Sequence, residues 1–126
     1  MLKLSQIYLD ASIYEYALLL MVVAAEVKTV KFVDQALMKR DVSKKRIRES
    51  NLTYSQKLNF LLPSLIPLDM TLSKEITSQI NKARTLRNDF MHEGNFACPK
   101  EELLALFAAT VEYIQQLSLI SNKLGL

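Results

Sequence analysis

Glycine, proline and cysteine are scarce in this 126-residue chain, which contains 2, 3 and 1 of them respectively. Because hairpins and tight turns depend on glycine and proline, the scarcity argues against a β-rich fold and favours long helices joined by few turns. The single cysteine, Cys98, cannot form an intrachain disulfide, which suits a reducing compartment. A lone cysteine is not a metal site by itself, and we expect neither a metal ion nor a cofactor.

The apolar run near the start of the sequence is too short for a membrane span. Residues 17–25 are wholly apolar, but a span takes 18 or more such residues. A cleaved leader is a weaker alternative, because Asp10 and Glu15 lie where a leader carries positive charge. We therefore interpret this run as a buried helix of a soluble, cytoplasmic protein. The net charge of +3 permits contact with nucleic acid without requiring it.

Hydrophobic periodicity predicts an all-α fold, a compact bundle of four main helices in one domain over residues 1–126. Thr53 and Gln56 have the spacing of a capping box at the start of the short second helix. Ser73 or Thr71 suits the N-cap of the third, and Gly94 suits its left-handed end. Pro63 and Pro67 are expected to end the second helix. The predicted helices cover residues 5–40 (with a bend as an option), 54–62, 72–92 and 99 onwards.

The last predicted helix has more apolar surface than one neighbour can cover. Its main stripe alternates spacings of four and three, as at a coiled-coil seam, and further stripes lie beside it. Either the bundle is compact on two sides of this helix, or a second subunit covers one of them. The main stripe consists of Leu103, Phe107, Thr110, Ile114 and Leu117.

The only histidine, His92, ends the predicted third helix within the segment ARTLRNDFMHEG. Asn88 lies four residues before His92, so the two share a helix face. Arg87 is rotated by about 100° from Asn88, yet its long side chain can reach the same cleft. Arg84, one turn earlier, adds positive charge nearby.

An arginine, a polar residue, three further residues and a histidine at the end of a helix resemble the signature of the HEPN superfamily. Here RNDFMH supplies Arg87, Asn88 and His92, with apolar Phe90 and Met91 between them. The resemblance implies a homodimer whose two motifs meet in one cleft. It also implies a metal-independent endoribonuclease of the toxin, phage-defence or RNA-processing kind, with a cognate antitoxin or regulatory protein as a further partner. One toxin subgroup has a tyrosine two residues after the histidine, whereas this chain has Gly94, which argues against regulation by nucleotide transfer to that position.

The residue types suit RNA cleavage. RNA carries its own nucleophile, the 2′-hydroxyl, so an enzyme must remove its proton, stabilise charge on phosphorus and protonate the leaving oxygen. Histidine titrates near neutrality and can act as acid or base, and arginine offers a planar fork to phosphate oxygens. Asn88 would orient His92 or donate to the phosphate. One histidine cannot easily be both base and acid, which favours two subunits at one site, cyclic phosphate products and no metal requirement.

Simpler interpretations stand beside this one. His92 alone would suit the negative end of a helix, and Arg84 and Arg87 could belong to a solvated face with Asp89 and Glu93 as partners. The chain would then be a non-catalytic HEPN-like module that dimerises and binds RNA or a regulatory partner.

A basic connector over residues 39–51 offers a second candidate surface. Six of the ten residues from Lys39 to Arg48 are Lys or Arg. An ordinary solvated loop is the alternative to RNA contact, and no aromatic residues are interleaved to stack on bases. A third hypothesis, a regulatory DNA-binding protein, would use this segment, although no convincing helix-turn-helix is visible. The candidate phosphate contacts are Lys44, Lys45, Arg46 and Arg48.

Overall fold

The computed structural model describes residues 1–70 and 72–126, and every regular element in those ranges is helical. The all-α prediction is therefore confirmed. A π-helical turn, Lys57–Leu61, joins the fourth and fifth helices. The helices are α1 (Leu2–Asp10), α2 (Tyr14–Lys39), α3 (Lys44–Glu49), α4 (Tyr54–Gln56), α5 (Leu62–Leu65), α6 (Lys74–Glu93) and α7 (Lys100–Leu124).

The predicted first helix is divided into α1 and α2 by a left-handed residue. Ser12 has φ = 61°, and the Ile13 amide donates to the Tyr8 carbonyl oxygen at 2.8 Å. This backbone hydrogen bond satisfies a carbonyl at the end of α1. The equivalent bond is common in helices that end at a glycine. Because the residue is serine, the sequence offered no glycine or proline to mark the break.

The basic connector is partly helical, which the sequence analysis did not predict. Asp41 follows α2 with φ = 66°, and Ser43 caps α3 by accepting a hydrogen bond from the Arg46 amide at 3.2 Å. Asn51, with φ = 54°, follows that helix. Aspartate and asparagine tolerate the left-handed region better than most residues, and here they take the place of glycine.

The capping box at Thr53 is confirmed, but the predicted helix end at Pro63 is wrong. The Thr53 hydroxyl accepts from the Gln56 amide at 3.1 Å, and the Gln56 side chain accepts from the Thr53 amide at 2.9 Å. Helical geometry continues through Pro63 to Leu65. A proline removes one backbone hydrogen bond and its ring crowds the carbonyl four residues earlier. That carbonyl belongs to Asn59, inside the π-helical turn, where the wider backbone relieves the crowding.

Both predicted ends of α6 are confirmed within the described chain. The Ser73 hydroxyl accepts from the Ile76 amide at 3.4 Å, whereas the other N-cap candidate, Thr71, lies outside the described residues. Gly94 has φ = 73°, and its amide donates to the Phe90 carbonyl oxygen at 2.8 Å.

The described chain divides into two compact units, the first of which contains Met1–Ala25 and Ser73–Ile114. Its α1 is joined to α2 by a buried hydrogen bond from the Ser5 hydroxyl to the Ala17 carbonyl oxygen, at 2.8 Å. The hydrophobic core of this unit consists of Leu9, Ala17, Leu18, Met21, Val22, Ala83, Leu103 and Leu106.

The second unit contains Glu26–Leu72 and Gln115–Leu126. Polar contacts connect its segments: Lys57 pairs with Asp34 at 3.3 Å, and the Lys39 ammonium donates to the Leu124 carbonyl oxygen. Its buried apolar side chains include Phe32, Val33, Ala36, Leu58, Leu62, Leu65, Leu117 and Ile120.

Helix α7 buries a single stripe, and two positions of the predicted seam are less buried than expected. Phe107 and Ile114 are only partly buried, whereas Tyr113 is fully buried. Among the described helices, α7 alone is long and apolar enough to cross a membrane by length and composition. Core helices of soluble proteins meet the same criterion, so this feature alone assigns no location. The buried stripe comprises Leu103, Leu106, Thr110, Tyr113, Leu117 and Ile120.

Candidate functional site

Helix α6 holds the four candidate residues of the histidine motif in its last three turns. Ile76, Ile80 and Ala83 are buried and fix one face of the helix in the first unit. The motif begins where this buried stripe ends: Arg84 is partly buried, and the exposed His92 lies in the last turn. The helix therefore presents the motif at the margin of the core.

The structure brings Arg87 and Asn88 into direct contact. The Arg87 Nε and Nη2 groups both donate to the Asn88 Oδ1 atom, at 3.3 and 3.2 Å. Both side chains are partly buried. Two N–H groups on one acceptor restrict the plane of the guanidinium, so Arg87 lies beside Asn88 despite the 100° rotation between them. A guanidinium held in one plane is suited to bidentate contact with phosphate oxygens.

His92 lies one turn beyond Asn88, and its side chain is exposed. Residues four apart on a helix are neighbours on its surface, which places the imidazole on the Asn88 side of α6. Its exposure leaves the ring accessible to a substrate. The structure thus places His92 near Asn88 along one helix face, and it joins Asn88 to Arg87 by hydrogen bonds.

An aromatic contact that the sequence analysis missed anchors the segment after the motif. The rings of Phe90 and Phe96 meet edge to face, with centroids 6.0 Å apart. Such pairs are favourable beyond the area they bury. The sequence contained one signal for this contact, an apolar residue shortly after a helix-ending glycine. Such residues often pack against the last turn of the helix. The contact fixes the chain on either side of His92.

An exposed apolar side chain adjoins the histidine. Met91, which lies between Asn88 and His92 in the sequence, is 66% exposed. Flexible, polarisable methionines are common at surfaces that bind partners. This exposure distinguishes Met91 from its neighbour Phe90, which is partly buried.

The basic segment forms a separate surface in the second unit. All four candidate residues on α3, Lys44, Lys45, Arg46 and Arg48, are exposed. Lys44 and Arg48 line a surface pocket of about 260 Å³ together with Asp34. A carboxylate in the lining opposes a phosphate group, so the exposed side of the helix is the better place for phosphate contacts.

Neither a metal-ligand cluster in the described residues nor a matching protein informs this site. In the ranges that the structure describes, no group of three or more His, Cys, Asp or Glu side chains is arranged to hold a metal ion. Comparison with protein-family models, curated proteins and solved structures found no match. The candidate residues are therefore interpreted from their own chemistry and placement.

Proposed function

We propose that this chain is a HEPN-like, metal-independent endoribonuclease that acts as a homodimer, with Arg87, Asn88 and His92 at its catalytic site. The observation that carries the proposal is the pair of hydrogen bonds from the Arg87 guanidinium to Asn88. These bonds hold a cation on the side of α6 where His92 follows one turn later. A cation and an accessible imidazole on one helix face are two of the groups that cleavage by the 2′-hydroxyl uses.

Each residue has a distinct role in the proposed reaction. His92 takes the proton from the 2′-hydroxyl, whose oxygen then attacks the adjacent phosphorus. Arg87 stabilises the extra charge on the phosphate oxygens in the transition state. The P–O5′ bond breaks, a second imidazole protonates the leaving 5′ oxygen, and a 2′,3′-cyclic phosphate remains. Asn88 positions Arg87 and acts as a further donor to the substrate.

The need for both a base and an acid supports a dimer. The chain has one histidine, so a second imidazole at the same phosphate must come from a second copy. The exposed Met91 beside His92 offers apolar surface for such an interface. In this arrangement Arg84 adds positive charge near the cleft, and Lys44, Lys45, Arg46 and Arg48 contact the RNA backbone. The proposed setting is the cytoplasm, with a role as a toxin or phage-defence effector under the control of an antitoxin or regulatory protein.

One observation favours a second candidate, a non-catalytic HEPN-like module that dimerises and binds RNA or a protein. Two N–H groups of Arg87 are engaged by Asn88 within the chain. If that contact is purely structural, the guanidinium stiffens the end of α6 and does not bind the scissile phosphate.

Substitution of the only histidine separates the two candidates. Cleavage of a mixed RNA pool in EDTA should fall about 100-fold or more for His92→Ala, since general acid–base catalysis contributes roughly that factor. Arg87→Ala should show a similar loss, whereas Lys74→Ala removes an exposed positive charge at the other end of the same helix and should cleave normally. Light scattering should show a dimer for every variant. A wild-type protein that binds RNA without cutting it would support the non-catalytic module instead.

A further inference from the structure

The pocket beside the basic helix α3, in the second unit, has a lining of mixed chemistry. Asp34 and Met38, one turn apart, contribute to it from α2. Lys44, Ile47 and Arg48, which share one face of α3, contribute the rest. The volume of about 260 Å³ is a little below the roughly 300–1,000 Å³ of pockets that enclose drug-sized ligands. The pocket therefore has room for one small ring system and not for a large cofactor.

The lining has apolar walls and a basic outer edge. Met38 and Ile47 are partly buried, whereas Lys44 and Arg48 are exposed. In the described chain no ion pair or hydrogen bond engages the side chains of these two cations. They are therefore available to an anionic group at the mouth of the pocket, and the apolar walls are available to an uncharged body further in.

Asp34 gives the pocket a hydrogen-bond acceptor. Its Oδ1 atom accepts from the Lys57 ammonium at 3.3 Å, and within the described residues its Oδ2 atom makes no hydrogen bond. Because Lys57 already balances the charge of the carboxylate, neutral N–H donors suit it better than a second full cation. A phosphate alone would be opposed by this carboxylate, and a purely apolar group would leave it unused. A matching ligand therefore carries N–H donors as well as an anionic group.

A guanine nucleotide combines these features. Its planar base suits the apolar walls, and its phosphate suits an ammonium and a guanidinium. The Watson–Crick edge of guanine has two adjacent donors, N1–H and the 2-amino group, which match a carboxylate that only accepts. Adenine and cytosine place an acceptor nitrogen beside their amino group, and uracil places its N–H between two carbonyl oxygens. Each of these bases would therefore bring an acceptor against Asp34.

From this arrangement we infer that the pocket between α2 and α3 binds a guanine nucleotide. Asp34 accepts hydrogen bonds from the base, and Met38 and Ile47 pack against the base. Lys44 and Arg48 contact the phosphate at the mouth. The site is independent of the histidine motif, and its nucleotide is either a free molecule or one residue of a single-stranded RNA, whose exposed base edges proteins commonly recognise.

Titration of the full chain with guanosine 5′-monophosphate tests this inference. Amide resonances of the lining residues should shift and saturate in nitrogen–proton correlation spectra. Adenosine 5′-monophosphate should bind about tenfold more weakly, since a two-bond contact with a base edge gives discrimination of that order. Inosine 5′-monophosphate, which lacks the 2-amino group, should bind about threefold more weakly through loss of one hydrogen bond. Equal affinities for the guanine and adenine nucleotides, or no shift of the lining resonances, would overturn the inference.

Asp34→Asn tests the acceptor through a change of preference. The amide of the variant can donate to the 2-carbonyl oxygen of xanthine, so the affinity for xanthosine 5′-monophosphate should rise while that for the guanine nucleotide falls about tenfold. A gain in affinity for one nucleotide cannot result from misfolding or from loss of the contact with Lys57. Asp69→Asn, at an exposed position outside the lining, is the matched control and should keep the wild-type preference. A preference for guanine that survives Asp34→Asn would refute the assignment of Asp34.

Removal of the two cations tests the phosphate contact. Lys44→Gln/Arg48→Gln should weaken guanosine 5′-monophosphate binding about tenfold or more, because hydrogen bonds to charged groups are the stronger class. Lys3→Gln/Lys74→Gln removes the same charge from exposed positions outside the pocket and should bind as the wild type does. Equal affinities for the two double variants would contradict the proposed site.

Competition identifies the source of the nucleotide. A 2′-O-methylated oligonucleotide with one guanine among uracils should displace guanosine 5′-monophosphate if the natural ligand is a single strand, and replacement of that guanine by adenine should abolish the competition. Binding of the free nucleotide without competition from the oligonucleotide would identify a small molecule as the ligand. An adenine oligonucleotide that competes as well as the guanine one would overturn recognition of the base.

Discussion

At the residue scale, Gly94 determines how the chain leaves the histidine motif. Its φ of 73° lies in the region that favours glycine, and a Cβ placed there would meet nothing within 4 Å. Conformational strain, without a steric clash, is therefore the cost of any other residue. Gly94→Ala should lower the free energy of unfolding by about 1 kcal/mol. Gly94→Asn should cost less, because asparagine tolerates the left-handed conformation, and denaturant unfolding of both variants measures the difference. Equal stability of the alanine variant and the wild type would contradict this account of the helix end.

The pKa of the Cys98 thiol is a second feature to test at the scale of single residues. Burial raises its pKa, as does the nearby carboxylate of Glu102, while Lys82 acts in the opposite direction. A raised pKa leaves less thiolate at neutral pH, so alkylation of the folded chain by iodoacetamide should be slower than that of the urea-unfolded chain. Because this is the only cysteine, the labelling rate reports on one site.

Two charge variants test the cause of the Cys98 shift. Glu102→Gln removes the charge that raises the pKa and should speed alkylation of the folded protein. Lys82→Gln removes the charge that lowers the pKa and should slow it. Lys82 and Glu102 are also an ion pair at 2.6 Å, so circular dichroism should first confirm that both variants are folded. Rates that change in the opposite order would contradict the electrostatic explanation.

At the element scale, the break between α1 and α2 is secured by one buried hydrogen bond. The Ser5 hydroxyl is fully buried and donates to the Ala17 carbonyl oxygen. Ser5→Ala should lower the free energy of unfolding by about 1–2 kcal/mol through loss of this bond. The matched control is Ser64→Ala, which removes an exposed hydroxyl bond to the Leu61 carbonyl oxygen and should change stability by no more than about 0.5 kcal/mol. A Ser5 variant as stable as the control would show that this contact does not hold α1.

The ends of the elements show which local features can be predicted from sequence. Thr53, Ser73 and Gly94 were predictable, because each has the residue type that its cap requires. The left-handed positions Ser12 and Asp41 were not, since many residues of these types occur in ordinary helices and loops. Their conformations depend on tertiary packing, which overrides local preference.

The path of the chain through Pro63 illustrates a different limit. Proline usually ends a helix, and the prediction followed that rule. The structure instead widens the preceding turn, Lys57–Leu61, to a π-helix. Such widening depends on how the turn packs, with Leu58 fully buried. No residue type in the segment predicts a π-helical turn.

At the scale of the whole molecule, periodicity identified the long helices but not the contact pattern between them. The described chain shows two compact units, and both α2 and α7 contribute residues to each of them. Hydrophobic spacing reports that a side chain is buried, but it does not report which element covers it.

The histidine motif was predictable as a set of residue types, and its internal geometry was predictable only in part. Helical spacing placed Asn88 and His92 on one face. The contact between Arg87 and Asn88 depends on a side-chain conformation that spacing alone does not determine. The proposed ribonuclease activity joins these observations to the chemistry of RNA, and it requires the proposed dimer.

The most direct test of the proposed activity compares an RNA oligonucleotide with its fully 2′-O-methylated analogue, both in EDTA, with the products resolved by mass. The wild-type protein should cut only the RNA and leave 2′,3′-cyclic phosphate ends, and dimeric His92→Ala should cut neither. Cleavage of the methylated analogue, or undiminished cleavage of RNA by the His92 variant, would contradict an imidazole-catalysed attack by the 2′-hydroxyl.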